Sequence, residues 1–366
     1  MSTQPASFDA IDGVVRPDDP HDPRLDDFRD LNNSDHRPDL PDGKGLVIAE
    51  GALVVGRLID SRYPVRAIVG FGSKLRGFID AYAEEHGIAA EDPASTRVAC
   101  VQHLHSLGIE IYEVSRALLA EVAGFDMHRG LVAVAQRTEP LSVTQAIDGA
   151  RTVVVLEGVG DLENIGSIFR NAAGMGVDAV LFGAGCADPL YRRVVRVSMG
   201  HVLRLPFAFF EGSTRNWHHS MQQLHEAGFT TVSLTPDPQA PTIAAALQGV
   251  EKAALLVGAE GPGLSERTMH YTHTRARIPM AEGTDSLNLA TAAAIAFYER
   301  DRHLHGQPPR RQQRSMRRKR SRAECAADFA ASLIPDNRVR PTSLALAAVS
   351  RMRAVISASA SIDRSS

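Results

Sequence analysis

The sequence predicts an α/β protein: an open, doubly wound parallel sheet in the C-terminal part, preceded by a smaller α/β block. Three observations carry this expectation. The run TVVVLE (152–157) is apolar and β-branched almost throughout, as in a strand covered on both faces. Beyond it, short apolar runs alternate with helical segments, the chain order of βαβ units. Glycine-rich and polar loops follow several of those runs, and ligands of such sheets bind beyond the carboxyl ends of the strands.

In chain order, residues 1–43 hold eleven Asp against four Arg and few large apolar side chains. Such a head cannot offset its ordering entropy and is expected to be disordered. The first folded block spans 44–137. Ile48, Ala52, Val55 and Ile59 recur at helical spacing, and VRAIV (65–69) reads as a short buried strand. A polar segment around 84–96 leads to a helix near 97–107 and a strand IEIYEV (109–114). A helix over 115–123 with Ser115 as N-cap and a strand LVAVAQ (131–136) complete the block. The interdomain connection falls at 138–150, where Thr138, Glu139, Pro140 and Gly149 punctuate the chain. The second block, 151–305, has strands at 152–157, DAVLF (178–182), LRLPFA (203–208), FTTVSL (229–234), AALLVG (253–258) and just before Pro279, with helices between them. Residues 306–366 read as a disordered tail. It carries RRQQRSMRRKRSR (310–322), with eight Lys or Arg and no acid, which either touches nucleic-acid phosphate or is idle and solvated.

Composition narrows the class. A chain of 366 residues with 44% hydrophobic and 23% charged side chains suits two globular domains. No apolar run approaches membrane-spanning length, and the acidic N-terminus lacks a signal-peptide pattern, so a cytoplasmic protein without a membrane partner is expected. Cys100, Cys186 and Cys325 are odd in number and form no CxxC pair, which disfavours a disulfide framework or a metal site; they read as small buried hydrophobes. The net charge of −3 does not exclude a nucleic-acid partner, because acid and base are sorted to opposite ends.

Three segments of the second block hold the candidate chemistry: ENIGSIFRNAAGMG (163–176), VGAEGPGLS (257–265) and IPMAEGTDSLNLATAAAIAFYE (278–299). Each has a structural explanation of its own. Asn164 and Ser286 precede helical runs and could cap them. Arg170 could be a solvated helix charge, and Glu260 among glycines an idle surface turn. The glycines say more, since they let a backbone approach a ligand and present N–H groups to it. A dinucleotide site does not fit: GAEGPG is G-x-x-G-x-G, lies late in the fold and lacks the acidic partner of that fingerprint. There is no Walker A lysine either.

Together, in this order and spacing, the segments resemble the three motifs of the SpoU (TrmH) family of RNA ribose methyltransferases, in the SPOUT superfamily. Asn164, Gly166, Arg170 and Ala172 match the first motif, and Gly258, Glu260, Gly261, Gly263 and Leu264 the second. Ile278, Pro279, Met280, Ser286, Leu287, Asn288, Ala290 and Ala292 match the third. The match covers roughly 152–300. In the first block, Glu50–Gly51, YEVS (112–115) and HRGLVA (128–133) are more loosely similar to the RNA-binding domain that precedes this fold in many members.

The resemblance implies a C-terminal SPOUT domain with a deep trefoil knot, which periodicity could not have indicated. It implies S-adenosyl-L-methionine as cofactor, held near Gly258, Gly261, Ile278, Met280 and Leu287. It also implies attack of a ribose 2′-oxygen on the sulfonium methyl, hence RNA rather than DNA as partner, ribosomal or transfer RNA. Arg170 falls at the acceptor. A guanidinium is a poor proton acceptor, so its expected role is to stabilise phosphate or a developing alkoxide. Asn164, Glu260, Ser286 and Asn288 would position it with the cofactor and RNA. Family members are homodimers, and the same is expected here through the small-residue helix over 287–300. Two alternatives are a catalytically silent RNA-binding assembly factor and a base-directed RNA methyltransferase of the same superfamily. Arg57, Arg62, Arg66, Lys74 and Arg76 of the first block are candidate RNA contacts or ordinary solvated charges.

Overall fold

A computed structural model describes residues 11–31, 44–281, 283 and 286–305. The N-terminal sheet is built from β1 (Leu46–Glu50), α1 (Ala52–Ile59), β2 (Val65–Gly70), α2 (Gly72–His86), α3 (Pro93–Ser106), β3 (Glu110–Glu113), α4 (Arg116–Ala123) and β4 (Leu131–Gln136). Its order is β1-β4-β2-β3, with β2 and β3 parallel and β4 antiparallel to both of its neighbours. Ile48 belongs to this sheet, opposite Val134, rather than to a helix. The helical spacing of Ile48 with Ala52 and Val55 is broken at Gly51, whose φ of +83° turns the strand into α1. Helix α2 is an addition to the elements expected from the sequence. It buries Leu75, Phe78, Ile79, Tyr82 and Ala83, the i, i+3, i+4 face of an amphipathic helix.

The acidic head departs from expectation. Residues 11–31 lie on the N-terminal sheet, where Val15 pairs with Tyr112 and a 3₁₀ turn, Pro23–Phe28, is capped by Asp22. Leu25, Phe28 and Leu31 are fully buried with Ile48, Val69, Leu119 and Val132. Few apolar residues are present, but their three-residue spacing aims them at one face. Each contributes about 1.5–3 kcal/mol on burial, and with the Val15–Tyr112 bridge and the Asp22 cap they anchor the segment on an existing core. Asp27 adds ion pairs to Lys44 (3.0 Å) and Arg66 (3.1 Å). Residues 1–10, 32–43 and 306–366, with the expectations made for them and for Cys325, lie outside the described residues.

The segment placed as a linker also packs. Within it, α5 (Val143–Ala146) starts with a Ser142–Gln145 capping box and buries Val143, Ala146, Ile147 and Ala150 against the second sheet. That sheet is formed by β5 (Thr152–Glu157), α6 (Leu162–Gly174), β6 (Ala179–Phe182), α7 (Arg192–Val197), β7 (Phe207–Phe209), α8 (Gln222–Glu226), β8 (Thr230–Leu234), α9 (Ile243–Ala246), β9 (Ala253–Gly258), α10 (Glu266–Tyr271), β10 (Thr274–Ala276) and α11 (Leu289–His305). The order is β10-β8-β9-β5-β6-β7 and every pair is parallel. All six residues of β5 are buried, as the β-branched run required. From β5 the chain steps outward through β6 and β7, then returns to the other side as β8 and β9. The β5/β9 boundary is therefore the switch point, where such sheets open a crevice at their carboxyl ends.

At the far end of α11 the guanidinium of Arg300 is buried, donating to Thr152 Oγ1 (3.1 Å) and to the carbonyls of Val250 (2.5 Å) and Glu251 (2.6 Å). Burial pulls its pKa down to about 10. Cys100 and Cys186 are free thiols, and burial raises both to about 11. The two sheets meet through paired charges. Glu50 pairs with Arg192, Arg137 with Asp188 (2.5 Å) and Arg204 with Asp60 (2.8 Å). Among the described residues no helix is long and apolar enough to cross a membrane.

Candidate active site

A cleft of about 420 Å³ opens at the carboxyl ends of β8 and β9. Its walls are Leu234–Pro236 after β8, Val257–Gly261 with Gly263 and Leu264 after β9, Ile278, Met280, and Ser286–Leu289 leading into α11. All five residues expected at the cofactor, Gly258, Gly261, Ile278, Met280 and Leu287, therefore line one cavity. The volume is within the range of ligand pockets for cofactor-sized molecules. Gly258 is required by contact. A Cβ there would stand 2.1 Å from the carbonyl carbon of Gly263, so only glycine lets the loop fold back over the strand end.

Three polar side chains from three distant segments close on one another beside this cleft. Asn164 Nδ2 donates to Glu260 Oε1 (2.9 Å), and Asn288 Nδ2 donates to Asn164 Oδ1 (2.9 Å) and to Glu260 Oε1 (3.1 Å). A carboxylate accepting two amide N–H bonds is fixed in place and stays an acceptor. Asn164 is buried and is not a helix cap; Asp161 caps α6, accepting from the N–H of Glu163 and Asn164. Nor is Ser286 a cap. The Oδ1 of Asn288 takes the N–H of Thr291 at the start of α11, and Ser286 lines the cleft instead. Glu282, Thr284 and Asp285 of the same loop are not described.

Arg170 stands apart. Six residues after Asn164, it lies about 120° round α6, exposed and without a hydrogen bond or ion pair among the described residues. None of Asn164, Glu260, Ser286 or Asn288 bonds to it, so the structure gathers four of the five expected catalytic residues at the cleft and leaves the arginine outside.

Residues 151–298, which contain the cleft and every matched motif position, match the model of the SpoU rRNA Methylase family. An uncharacterized tRNA/rRNA methyltransferase of Mycobacterium tuberculosis is 50% identical over 289 residues, covering 78% of this chain and 91% of that protein. The chain belongs to the SpoU family of RNA methyltransferases. A more distant relative, the 23S rRNA (guanosine-2′-O-)-methyltransferase of Bordetella pertussis, is 30% identical over 203 residues, covering 54% of this chain and 80% of that one. Among solved structures, an AdoMet-bound rRNA methyltransferase from Sinorhizobium meliloti shares the fold with a TM-score of 0.60, at 24% identity over 80% of this chain and 99% of that one.

One residue of this SpoU site carries no motif signal. Glu157, at the end of β5, is buried and accepts from Trp217 Nε1 (2.9 Å), the Ser265 N–H (2.9 Å), Ser265 Oγ (2.9 Å) and Thr268 Oγ1 (2.8 Å). It bolts the far end of the 258–265 loop to the centre of the sheet. As a single acid ending an apolar run it reads as an ordinary strand terminus. Only the position before Gly158, facing Gly258 across the β5/β9 ladder, hints at a task.

Proposed function

We propose that this SpoU protein transfers a methyl group from S-adenosylmethionine to a ribose 2′-hydroxyl of structured RNA, ribosomal rather than transfer RNA. The observation that carries the reading is the Asn164–Glu260–Asn288 network, which ties the three motif segments together at a cofactor-sized cleft. The name of the 30%-identical relative, a guanosine-2′-O-methyltransferase of 23S rRNA, supports ribose as the target.

The residues present fit the cofactor. Ile278, Met280 and Leu287 offer apolar walls, Gly258, Gly261 and Gly263 bring backbone to the cleft without side chains, and Glu260 holds a negative charge at the rim. When bound, the cofactor supplies an electrophilic methyl on a cationic sulfur. Glu260, held by two amides, favours that positive charge in the ground state and orients it. Arg170 offers its guanidinium to the acceptor's phosphate and to the negative charge that builds on the 2′-oxygen, a role that raises the rate by electrostatic stabilisation. Holding acceptor oxygen and methyl in line contributes the rest.

The separation of Arg170 from the cleft within one chain supports a site completed by a second copy. Helix α11 turns Ile295 and Tyr298 outward, 36% and 55% exposed, as a face for a homodimer. A trefoil knot in the methyltransferase domain goes with the same reading. The test is direct: incubation with methyl-labelled S-adenosylmethionine and unmodified 23S ribosomal RNA, then alkaline hydrolysis. Label in alkali-resistant dinucleotides is the expected result, because a 2′-O-methyl blocks cleavage of the next phosphodiester. Label confined to mononucleotides means base methylation and rejects the ribose reading.

A further inference from the structure

Arg170 has no ion pair among the described residues, and a second arginine without one, Arg57, stands at the domain junction. Helix α1 of the N-terminal sheet lies against the Met199–Gly200 turn, where a Cβ on Gly200 would be 3.2 Å from Val54 Cγ1 and 3.3 Å from Arg57 Cδ. The Arg57 Nη1 donates to the Met199 carbonyl at 2.5 Å. Met199 has a φ of +54°, and Gly200 follows at +77°, so a non-glycine residue is held in the left-handed region where that carbonyl receives the guanidinium. The same turn leads through a 3₁₀ segment, His201–Leu203, to Arg204 and packs on α6, which carries Arg170. Burial, then the charges of Arg204 and Arg170, push the Arg57 guanidinium below its usual range, with Glu85 opposing. Asp60 offsets Arg204. For Arg57 and Arg170 no acidic side chain forms an ion pair among the described residues. Helix α1, which carries Arg57, and α6, which carries Arg170, both pack on the segment that follows the Met199–Gly200 turn, so two positive charges from different domains face one junction and an anion there is favoured by both.

We infer that Arg57 of the N-terminal domain and Arg170 of the methyltransferase domain together hold one phosphodiester of the RNA backbone. This rests on Arg170 facing the acceptor RNA. The domain that contacts the RNA and the residue at the reacting ribose then grip the same strand, and the Met199–Gly200 turn sets the spacing between them. Leu53, one turn before Arg57 on α1 and 53% exposed, gives the adjoining sugar or base an apolar surface.

The experiment measures the affinity of unmodified 23S ribosomal RNA transcribed in vitro against KCl concentration, for the full chain and for Arg57→Gln, Arg57→Lys, Arg170→Gln and the Arg57→Gln/Arg170→Gln double variant. Each neutralised phosphate contributes about 0.7 to 0.9 to the slope of log affinity on log salt. Arg57→Gln is expected to weaken binding several-fold and to flatten the slope by no more than about half that amount, because Arg170 still faces the phosphate, with Arg57→Lys keeping affinity and slope. The double variant should flatten the slope by about one phosphate in total, because both side chains serve the same one. A loss of about two phosphates in the double variant means two separate contacts and overturns the shared site. Unchanged affinity in Arg57→Gln, or an unchanged slope in the double variant, overturns it as well, and equal losses in Arg57→Gln and Arg57→Lys assign the effect to the Met199 contact instead. The measurement reads RNA binding alone, so it stands or falls separately from whether the methyl goes to ribose or base.

Discussion

Helix α6 separates two polar clusters of opposite design. On one side Asn164, Glu260 and Asn288 satisfy one another, as Glu157, Trp217, Ser265 and Thr268 do a few residues away. On the other side Arg57 feels the positive charges of Arg204 and Arg170, with Asp60 paired to Arg204 and Glu85 opposing without an ion pair to Arg57 among the described residues. A closed network holds a shape whether or not a ligand is present. An open cluster of like charge is costly until something of the opposite sign arrives. The difference assigns the first to shaping the cofactor loops and the second to gripping a polyanion.

Variants should separate the two designs. The largest effect belongs to the open side: Arg170→Ala is expected to slow methyl transfer roughly 10²–10³-fold while leaving the melting temperature and cofactor affinity unchanged. A drop in melting temperature would show that Arg170 belongs to the folded scaffold after all. Next, Glu157→Ala on the closed side should destabilise the fold by on the order of 2–3 kcal/mol in denaturant titrations, because the buried Trp217 and Thr268, together with Ser265, lose their acceptor. An unchanged midpoint would mean the loop does not depend on this bolt. Glu260→Gln keeps most of the shape but removes the fixed charge and turns one acceptor into a donor. It should weaken S-adenosylmethionine binding about tenfold by calorimetry, with RNA affinity unaltered.

The smallest effect is on pH. His218 and His225, packed round Tyr271, are held below the usual histidine range, His218 mainly by burial and then by His219, and His225 mainly by burial and then by His273. A depressed folded-state pKa means that the unfolded chain takes up the proton first. Stability from these groups is therefore present above about pH 6.5 and is lost as pH falls through the lower folded values. Melting temperatures measured on either side of that value should show the loss, and His225→Gln should reduce it.

Much of the site could be read from the sequence, because its parts are local. The β-branched run 152–157, the glycines around Glu260 and the small-residue helix after Asn288 each announce their backbone, and all five expected cofactor residues line the cleft. What escaped was tertiary. Asn164 sits where a cap would, but Asp161 three residues earlier takes that task and frees Asn164 to reach Glu260. Glu157 looks like the end of a strand, and its four donors come from segments 60 to 111 residues away. Arg57 and Arg170 are brought near each other only by domain packing. The acidic head misled for a different reason: average composition hid three apolar residues, Leu25, Phe28 and Leu31, spaced to meet one existing core.

The central claim, that this protein methylates a ribose of RNA through Arg170, is tested most directly by mass-spectrometric nucleoside analysis. RNA from cells with and without the gene would be compared, with wild-type and Arg170→Ala copies returned to the deletion. Loss of one 2′-O-methylnucleoside, restored by the wild type and not by the variant, is the predicted result and would name the nucleotide. Unchanged ribose methylation beside an altered base methylation or altered ribosome assembly would contradict it.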